Sequence, residues 1–154
     1  MEQKKGYFPL FVNIDNKRIV VIGAGKIALR RIETLLQFPC HLVVIAPQLC
    51  DKILEYYSQG LVDVINREFQ LEDVEAAYII IAATNNEDVN NRIYELCKEK
   101  NILVNHVGNK DKCDFYFPGI IKKEEIVIGV TASGSNHELA KKVTSQIKEV
   151  SELF

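Results

Sequence analysis

The stretch "VVIGAGKIALRR" (residues 20–31) decides the fold of this chain, because it sets a G-x-G-x-x-A spacing between two different hydrophobic patterns. The preceding run, "KRIVVIG" (17–23), is unbroken and β-branched, as expected of a strand covered on both faces. The following run, "KIALRRIETLLQF" (26–38), repeats apolar residues at helical spacing until Pro39. The stretch therefore predicts a strand, a glycine turn and a helix.

The same alternation of apolar runs and helix-period segments continues outward along the chain. We expect further strands at 41–47, 61–67, 77–84 and 101–107, with helices near 49–58 and around an apolar face of Val89, Ile93, Leu96 and Cys97. Parallel neighbours need a crossover connection, which is usually a helix. The sequence therefore predicts an α/β fold, a Rossmann-like doubly wound parallel sheet.

The pattern changes near residue 113, where two strands surround a charged turn and a helix follows. The helix "NHELAKKVTSQIKEVSELF" aligns Leu139, Val143, Ile147 and Val150. We therefore expect a nucleotide-binding domain over residues 1–112 and a small α+β appendage over residues 113–154.

Composition limits the classes of function. The 154 residues are 47% hydrophobic and 26% charged, enough for one main domain, and 19 basic against 21 acidic side chains leave no basic footprint for nucleic acid. The longest apolar run, 76–83, is too short to span a bilayer, so we expect a soluble, cytoplasmic protein. The spacing of Cys40, Cys50, Cys97 and Cys113 indicates neither a zinc site nor disulfides, and we expect buried, reduced thiols.

The glycine spacing has a chemical meaning in its strand–turn–helix context. Gly23 permits a tight turn, Gly25 lets the backbone approach a pyrophosphate, and Ala28 allows close packing of helix on strand. The anion would lie at the helix N-terminus. A purely structural turn is the alternative, but the context favours dinucleotide binding.

The feature that should select the nucleotide is missing. An acidic residue at the end of the second strand would bind the ribose 2′-hydroxyl, yet "VVIAPQLC" offers none, and no arginine stands there for a 2′-phosphate. The residue types alone therefore leave NAD and NADP open, with Pro47 and Gln48 holding the ribose.

A third element of the predicted crevice follows the fourth strand. In "AATNNEDVNN" (82–91), Ala82, Ala83 and Thr84 end a strand at the edge where open α/β sheets bind ligands. Thr84 or Asn85 could equally cap the next helix. The two roles are compatible.

Together these residues resemble the precorrin-2 dehydrogenase family, the dehydrogenase module of sirohaem synthases. The resemblance covers nearly the whole chain, through "YFPLFVNIDNKRIVVIGAGKIALRRIETLL", "AATNNEDVN", "VNHVGNKDKCDFYFPGII" and "GVTASGSNHELAKKV". It implies oxidation of precorrin-2 to sirohydrochlorin with NAD, on a homodimer formed through the region after the nucleotide domain; some members also insert ferrous iron. The cofactor contacts implied by position are Gly23, Gly25, Lys26, Ile27, Pro47, Gln48 and Thr84.

One departure from the family pattern concerns the chemistry directly. The family's presumed acid/base aspartate aligns with Gly108, which cannot accept a proton. His106 and Asp114 are the candidate bases; strand-end capping by His106 and a structural hydrogen bond from Asp114 are the alternatives. Water could also take the proton, or the chain could hold NAD and a tetrapyrrole without turnover.

Substrate recognition is expected from the loop before the last helix. Precorrin-2 carries carboxylates, and "SGSNHE" supplies a helix N-terminus with Ser133, Ser135 and Asn136 as the predicted contacts. Ser135 and Glu138 have the spacing of a capping box. No metal site is predicted, because His106, Asp114 and His137 are scattered; a bifunctional dehydrogenase and ferrochelatase stays an alternative.

Overall fold

A computed structural model describes residues 6–151 of the chain. The described residues form two compact units, one of residues 14–115 and one of residues 6–13 with 116–151. The division of the chain into a nucleotide-binding and a dimerisation part stays a prediction. Within the described residues, no helix combines the length and the apolar character that crossing a bilayer requires.

The larger unit contains a five-stranded sheet in which every pairing is parallel. Its strands are β1 (Arg18–Ile22), β2 (His41–Ile45), β3 (Asp63–Ile65), β4 (Ile79–Ala82) and β5 (Leu103–His106), and its helices are α1 (Lys26–Leu35), α2 (Asp51–Ser58) and α3 (Glu87–Lys100). The strand order β3-β2-β1-β4-β5 confirms the predicted Rossmann-like fold.

β1 lies at the centre of this sheet because it is apolar on both faces. Val20 pairs with Val43 of β2 on one side and with Ile80 of β4 on the other, and all three side chains are buried. The chain order reverses between β1 and β4. In open α/β sheets, ligands bind outside the carboxyl ends of the strands at such a switch point.

The helix that follows the glycines is shorter than its hydrophobic pattern suggests. α1 ends at Leu35 rather than near residue 38, and Ala28, Ile32 and Leu35 are its buried residues. Ile27 shares the helical spacing of these apolar residues but does not join the core, because its side chain is 48% exposed. Ile27 lines a crevice at the start of the helix instead.

The smaller unit pairs β6 (Gly119–Lys123) with β7 (Ile126–Val130) as an antiparallel hairpin, next to α4 (His137–Ser151). Gly119 permits this packing, since a Cβ there would overlap the hydroxyl of Thr144 on α4. Tyr7 and Tyr116 add an aromatic pair, and the Tyr116 hydroxyl donates to that of Tyr7 over 2.7 Å.

The cap of α4 and the exposure of the cysteines differ from the predictions. The predicted capping box of Ser135 and Glu138 is wrong, because Asn136 caps α4 by accepting the Leu139 N–H over 2.9 Å. The prediction of buried thiols holds for Cys97 but not for Cys50, which is exposed. Cys40 and Cys113 are half-buried, and all four cysteines are free thiols.

Candidate functional site

The carboxyl ends of β1, β2 and β4 open into a crevice of about 1040 Å³ within the larger unit. The seven residues that the family resemblance implies for cofactor contact all line it: Gly23, Gly25, Lys26, Ile27, Pro47, Gln48 and Thr84. Ala83 lines it too, whereas Ala82, which was also expected at this edge, does not. Parallel strands bring these distant segments to one edge of the sheet. The structure thus assembles the predicted cofactor residues in one place.

The two glycines of the loop have different structural duties. Gly23 has φ +114°, and a Cβ there would overlap the carbonyl group of Ala83, so only glycine lets β1 and β4 end side by side. Its N–H donates to the Ile45 carbonyl over 2.9 Å. A Cβ on Gly25 would meet no atom within 4 Å. Gly25 therefore leaves open space in front of the backbone.

The start of α1 has the character of an anion site. Gly25 is its N-cap, no side chain caps the helix there, and no acidic residue lies in the first turn. Lys26 adds a positive charge where the helix dipole is already positive. The open space at Gly25 and this electrostatic character fit the pyrophosphate of a dinucleotide.

A buried asparagine that was not predicted from the sequence shapes the opposite wall of the crevice, at the turn after β4. Asn90 of α3 is 3% exposed, and its Oδ1 accepts from the Thr84 amide over 3.0 Å and from the Thr84 hydroxyl over 2.7 Å. Its Nδ2 donates to the Thr84 carbonyl over 3.0 Å. Asn90 therefore fixes the turn after β4. A polar residue one helical turn before Ile93 on a buried face was the available signal.

The helix after this turn, α3, is capped by a residue that was not predicted from the sequence. The Asn86 side chain accepts the Val89 N–H over 3.2 Å, so the prediction of Thr84 or Asn85 as the cap is wrong. The Thr84 hydroxyl instead accepts the Asn86 N–H over 3.2 Å and stays in the crevice lining.

The third wall joins the end of β2 to the segment after β3. Asn66 donates from Nδ2 to the carbonyls of Ala46, over 2.9 Å, and Pro47, over 3.0 Å. Glu68 and Phe69 then line the crevice beside Pro47. Residues after β3 were absent from the sequence prediction, because their proximity to Pro47 depends on the pairing of β2 with β3.

Both ring nitrogens of His106, the first candidate base, form hydrogen bonds within the protein. It is 2% exposed; the Gly108 N–H donates to Nδ1 over 3.2 Å, which leaves Nε2–H to donate to Oδ1 of Asn91 at 3.2 Å. Burial, reinforced by the charge of Lys112, lowers the pKa of His106. This geometry favours the structural role of His106, and His106 is not part of the crevice lining.

Asp114, the second candidate base, is likewise engaged. Its Oδ1 pairs with Lys98 Nζ at 2.6 Å, and its Oδ2 accepts the Val104 N–H over 3.1 Å. The neighbouring Cys113 closes the same loop, because its Sγ accepts the His106 N–H over 3.2 Å. Both residues hold the loop after β5 against the strand, and this arrangement favours the structural alternative for Asp114.

The predicted substrate residues lie in the smaller unit, on the loop before α4. The Ser135 hydroxyl donates to the Ala132 carbonyl over 2.7 Å, while the side-chain Oδ1 of Asn136 accepts the Leu139 N–H. Ser133 has φ +53°, a left-handed conformation uncommon for serine. Within the described residues, no three His, Cys, Asp or Glu side chains group as metal ligands.

The fold and the crevice together define a dinucleotide-binding protein of the Rossmann class. A family model described as "Putative NAD(P)-binding" matches residues 10–119 of the chain. The chain belongs to that NAD(P)-binding family.

Known relatives agree with the resemblance inferred from the sequence. The chain is 36% identical over 146 residues to a probable multifunctional siroheme biosynthesis protein HemA of Ruminiclostridium josui, covering 94% of this chain and 28% of that protein. It is 33% identical over 142 residues to a siroheme synthase of Pseudoalteromonas translucida, covering 92% of this chain and 30% of that protein. The chain thus spans less than a third of the length of these relatives.

A solved structure shares the fold. The structure titled SirC, precorrin-2 dehydrogenase, superposes with a TM-score of 0.78 at 23% sequence identity. The superposition covers 93% of this chain and 70% of that one.

Proposed function

We propose that this protein is an NAD-dependent precorrin-2 dehydrogenase, which oxidises precorrin-2 to sirohydrochlorin in sirohaem biosynthesis. The observation that carries the proposal is the meeting of all the predicted cofactor residues in one crevice, on a chain that resembles siroheme synthases over almost its entire length. We further propose a cytoplasmic location.

The residues of the crevice have distinct parts in this proposal. The start of α1, with Gly25 and Lys26, binds the pyrophosphate, and Pro47 and Gln48 hold the adenosine ribose. Thr84, fixed by Asn90, positions the nicotinamide end. The bound cofactor supplies the hydride acceptor for the dehydrogenation.

The proton that leaves precorrin-2 with the hydride needs an acceptor. His106 and Asp114 are held in hydrogen bonds, and Gly108 offers no side chain, so we propose that water takes this proton. Such a reaction requires only that the site align the substrate with the nicotinamide and accept the hydride.

The smaller unit supports the remaining parts of the proposal. We propose that Ser133, Ser135 and Asn136 contact the substrate carboxylates, and that the unit forms a homodimer. Large apolar side chains of this unit are exposed, as expected of a surface that a second copy covers. They include Phe8, Phe11, Leu139 and Val150.

A second candidate function is an NAD- and tetrapyrrole-binding module without turnover. The engagement of His106 and Asp114 favours it over an enzyme that needs a side-chain base. Gly108→Asp distinguishes the two, because a Cβ at position 108 would meet only ring atoms of His106, at 3.5 and 3.7 Å, and therefore fits.

The test is anaerobic turnover of enzymatically generated precorrin-2 with NAD and without iron, following NADH and sirohydrochlorin absorbance. The proposal predicts product from the wild-type chain and little from Gly25→Val, which fills the space before the pyrophosphate loop. A wild-type chain that binds both ligands without product, and gains turnover through Gly108→Asp, would establish the binding module instead.

A further inference from the structure

Charged side chains are rare in the nucleotide crevice. Among the described residues that line it, Lys26 and Glu68 carry a formal charge. Lys26 begins α1 next to Gly25, where the proposed function locates the pyrophosphate. Glu68 is exposed and follows β3, on the third wall of the crevice. The crevice therefore has a positive end and a negative end.

The negative end coincides with the part of the site that holds the adenosine ribose. In this class of fold the ribose lies by the end of the second strand. β2 ends at Ile45, which pairs with Ile65 of β3, and Asn66 ties the segment after β3 to the Pro47 carbonyl. Glu68 therefore shares the ribose wall with Pro47.

Arg67, the cation next to Glu68 in the sequence, is engaged by a carboxylate of this protein. The two terminal nitrogens of Arg67 donate to the carboxylate oxygens of Asp73 over 2.8 and 2.7 Å. One of them also donates to the Glu68 carbonyl over 2.9 Å. Asp73 is buried and accepts the Gln70 N–H over 2.7 Å, which holds the pair in place.

We propose that Glu68 selects for a dinucleotide with a free 2′-hydroxyl and against one with a 2′-phosphate. This inference rests on the proposed NAD site. The carboxylate accepts a hydrogen bond from a ribose hydroxyl and repels a phosphate, while Asp73 keeps Arg67 from neutralising that phosphate. An acidic residue after the third strand thus replaces the one that the end of the second strand lacks.

The test measures dissociation constants of NAD and NADP separately by calorimetry at low ionic strength, in wild type and in Glu68→Gln. We expect the wild type to bind NAD at least about tenfold more tightly than NADP. In Glu68→Gln, NADP affinity should rise about tenfold while NAD affinity changes by less than about threefold. The glutamine side chain still accepts a hydrogen bond from the ribose hydroxyl.

Glu72→Gln is the matched control. It removes the same charge from an exposed side chain close by in sequence that does not line the crevice, so its NAD-to-NADP ratio should equal that of the wild type. Equal ratios in Glu68→Gln and wild type would overturn the inference while leaving the NAD site intact. Failure of the wild type to bind either nucleotide would overturn the proposed function itself, and the inference with it.

Discussion

Gly23 and Ala83 lie so close across the ends of β1 and β4 that a Cβ at position 23 would overlap the carbonyl group of Ala83. The contact joins the glycine loop to the turn after β4. The glycine loop and the turn after β4 are therefore one structural unit. Substitutions in this unit can show which residues are needed for stability and which for nucleotide binding.

The loop glycines should respond differently to alanine. Gly23→Ala introduces both the overlap and an unfavourable φ, and it should lower the free energy of unfolding by more than about 3 kcal/mol. At position 25, φ is −78° and a methyl group meets open space, so Gly25→Ala should cost no more than about 1 kcal/mol, which is the penalty for alanine at a helix N-cap. Its NAD affinity should nevertheless fall at least about tenfold, because the methyl group occupies the path of the pyrophosphate.

Urea unfolding and NAD calorimetry on the two variants check this pair. A Gly25→Ala variant that is destabilised as strongly as Gly23→Ala, or one that binds NAD like the wild type, would contradict the assigned roles.

Asn90 should couple stability to nucleotide binding. Asn90→Ala removes the side chain that pairs with the half-buried amide and carbonyl of Thr84, and it should cost about 2 kcal/mol of unfolding free energy. NAD affinity should fall several-fold, because the turn after β4 loses its support. The control is Ile93→Val, which costs about 1 kcal/mol on the same buried helix face and removes no hydrogen bond to Thr84. Equal NAD affinities in the two variants would refute the positioning role.

His106 should affect the pH dependence of the unfolding free energy more than it affects turnover. Burial lowers its pKa in the folded protein, so the unfolded chain binds more protons below about pH 6.5. Its stabilising contribution is therefore complete above that pH and is lost as the pH falls toward the folded pKa. His106→Gln should flatten the decline of unfolding free energy between about pH 7 and pH 5.

The same variant tests the catalytic alternative. With water as the proton acceptor, turnover of folded His106→Gln at neutral pH should match the wild type. A large fall in the maximal rate, with NAD affinity unchanged, would restore His106 as the base.

The pair of Arg67 and Asp73 should stabilise the segment after β3. Burial alone would raise the pKa of Asp73, but the Arg67 guanidinium and the Gln70 N–H outweigh it and hold that pKa below its ordinary value. The contribution is present above the unfolded pKa of about 3.9 and is lost as the pH falls through the folded pKa. Asp73→Asn should cost about 2 kcal/mol at pH 7, and the difference from wild type should shrink in acid. A constant difference down to about pH 2 would contradict this linkage.

Cys50 should report occupancy of the crevice. It lines the crevice and is exposed, whereas burial raises the pKa of Cys97 to about 12. Iodoacetamide followed by intact-mass spectrometry should therefore modify Cys50 long before Cys97, and NAD should slow the first modification. In Cys50→Ser, the rapid modification by iodoacetamide should disappear. If NAD leaves the rate of that rapid modification unchanged in the wild type, the nucleotide lies elsewhere.

Much of this architecture follows from local sequence. The β-branched run before Gly23, the helical spacing after it and the repetition of both patterns are enough for a parallel sheet, since each is a property of neighbouring residues. The crevice residues on the glycine loop and after β4 could be named for the same reason. Each stands at a fixed offset from the end of a strand.

The sequence by itself determined the strand–helix alternation, the glycine turn and the residues expected to meet a dinucleotide. Only the tertiary structure decided three further points. Asn90 holds Thr84, His106 is hydrogen-bonded to Gly108 and Asn91, and Glu68 lines the crevice with Pro47 while Arg67 is paired with Asp73. Local patterns are set by the period of the backbone. The hydrogen-bond partners of a side chain and the charges that line the crevice depend on which strands pair. That pairing follows from the packing of the whole sheet.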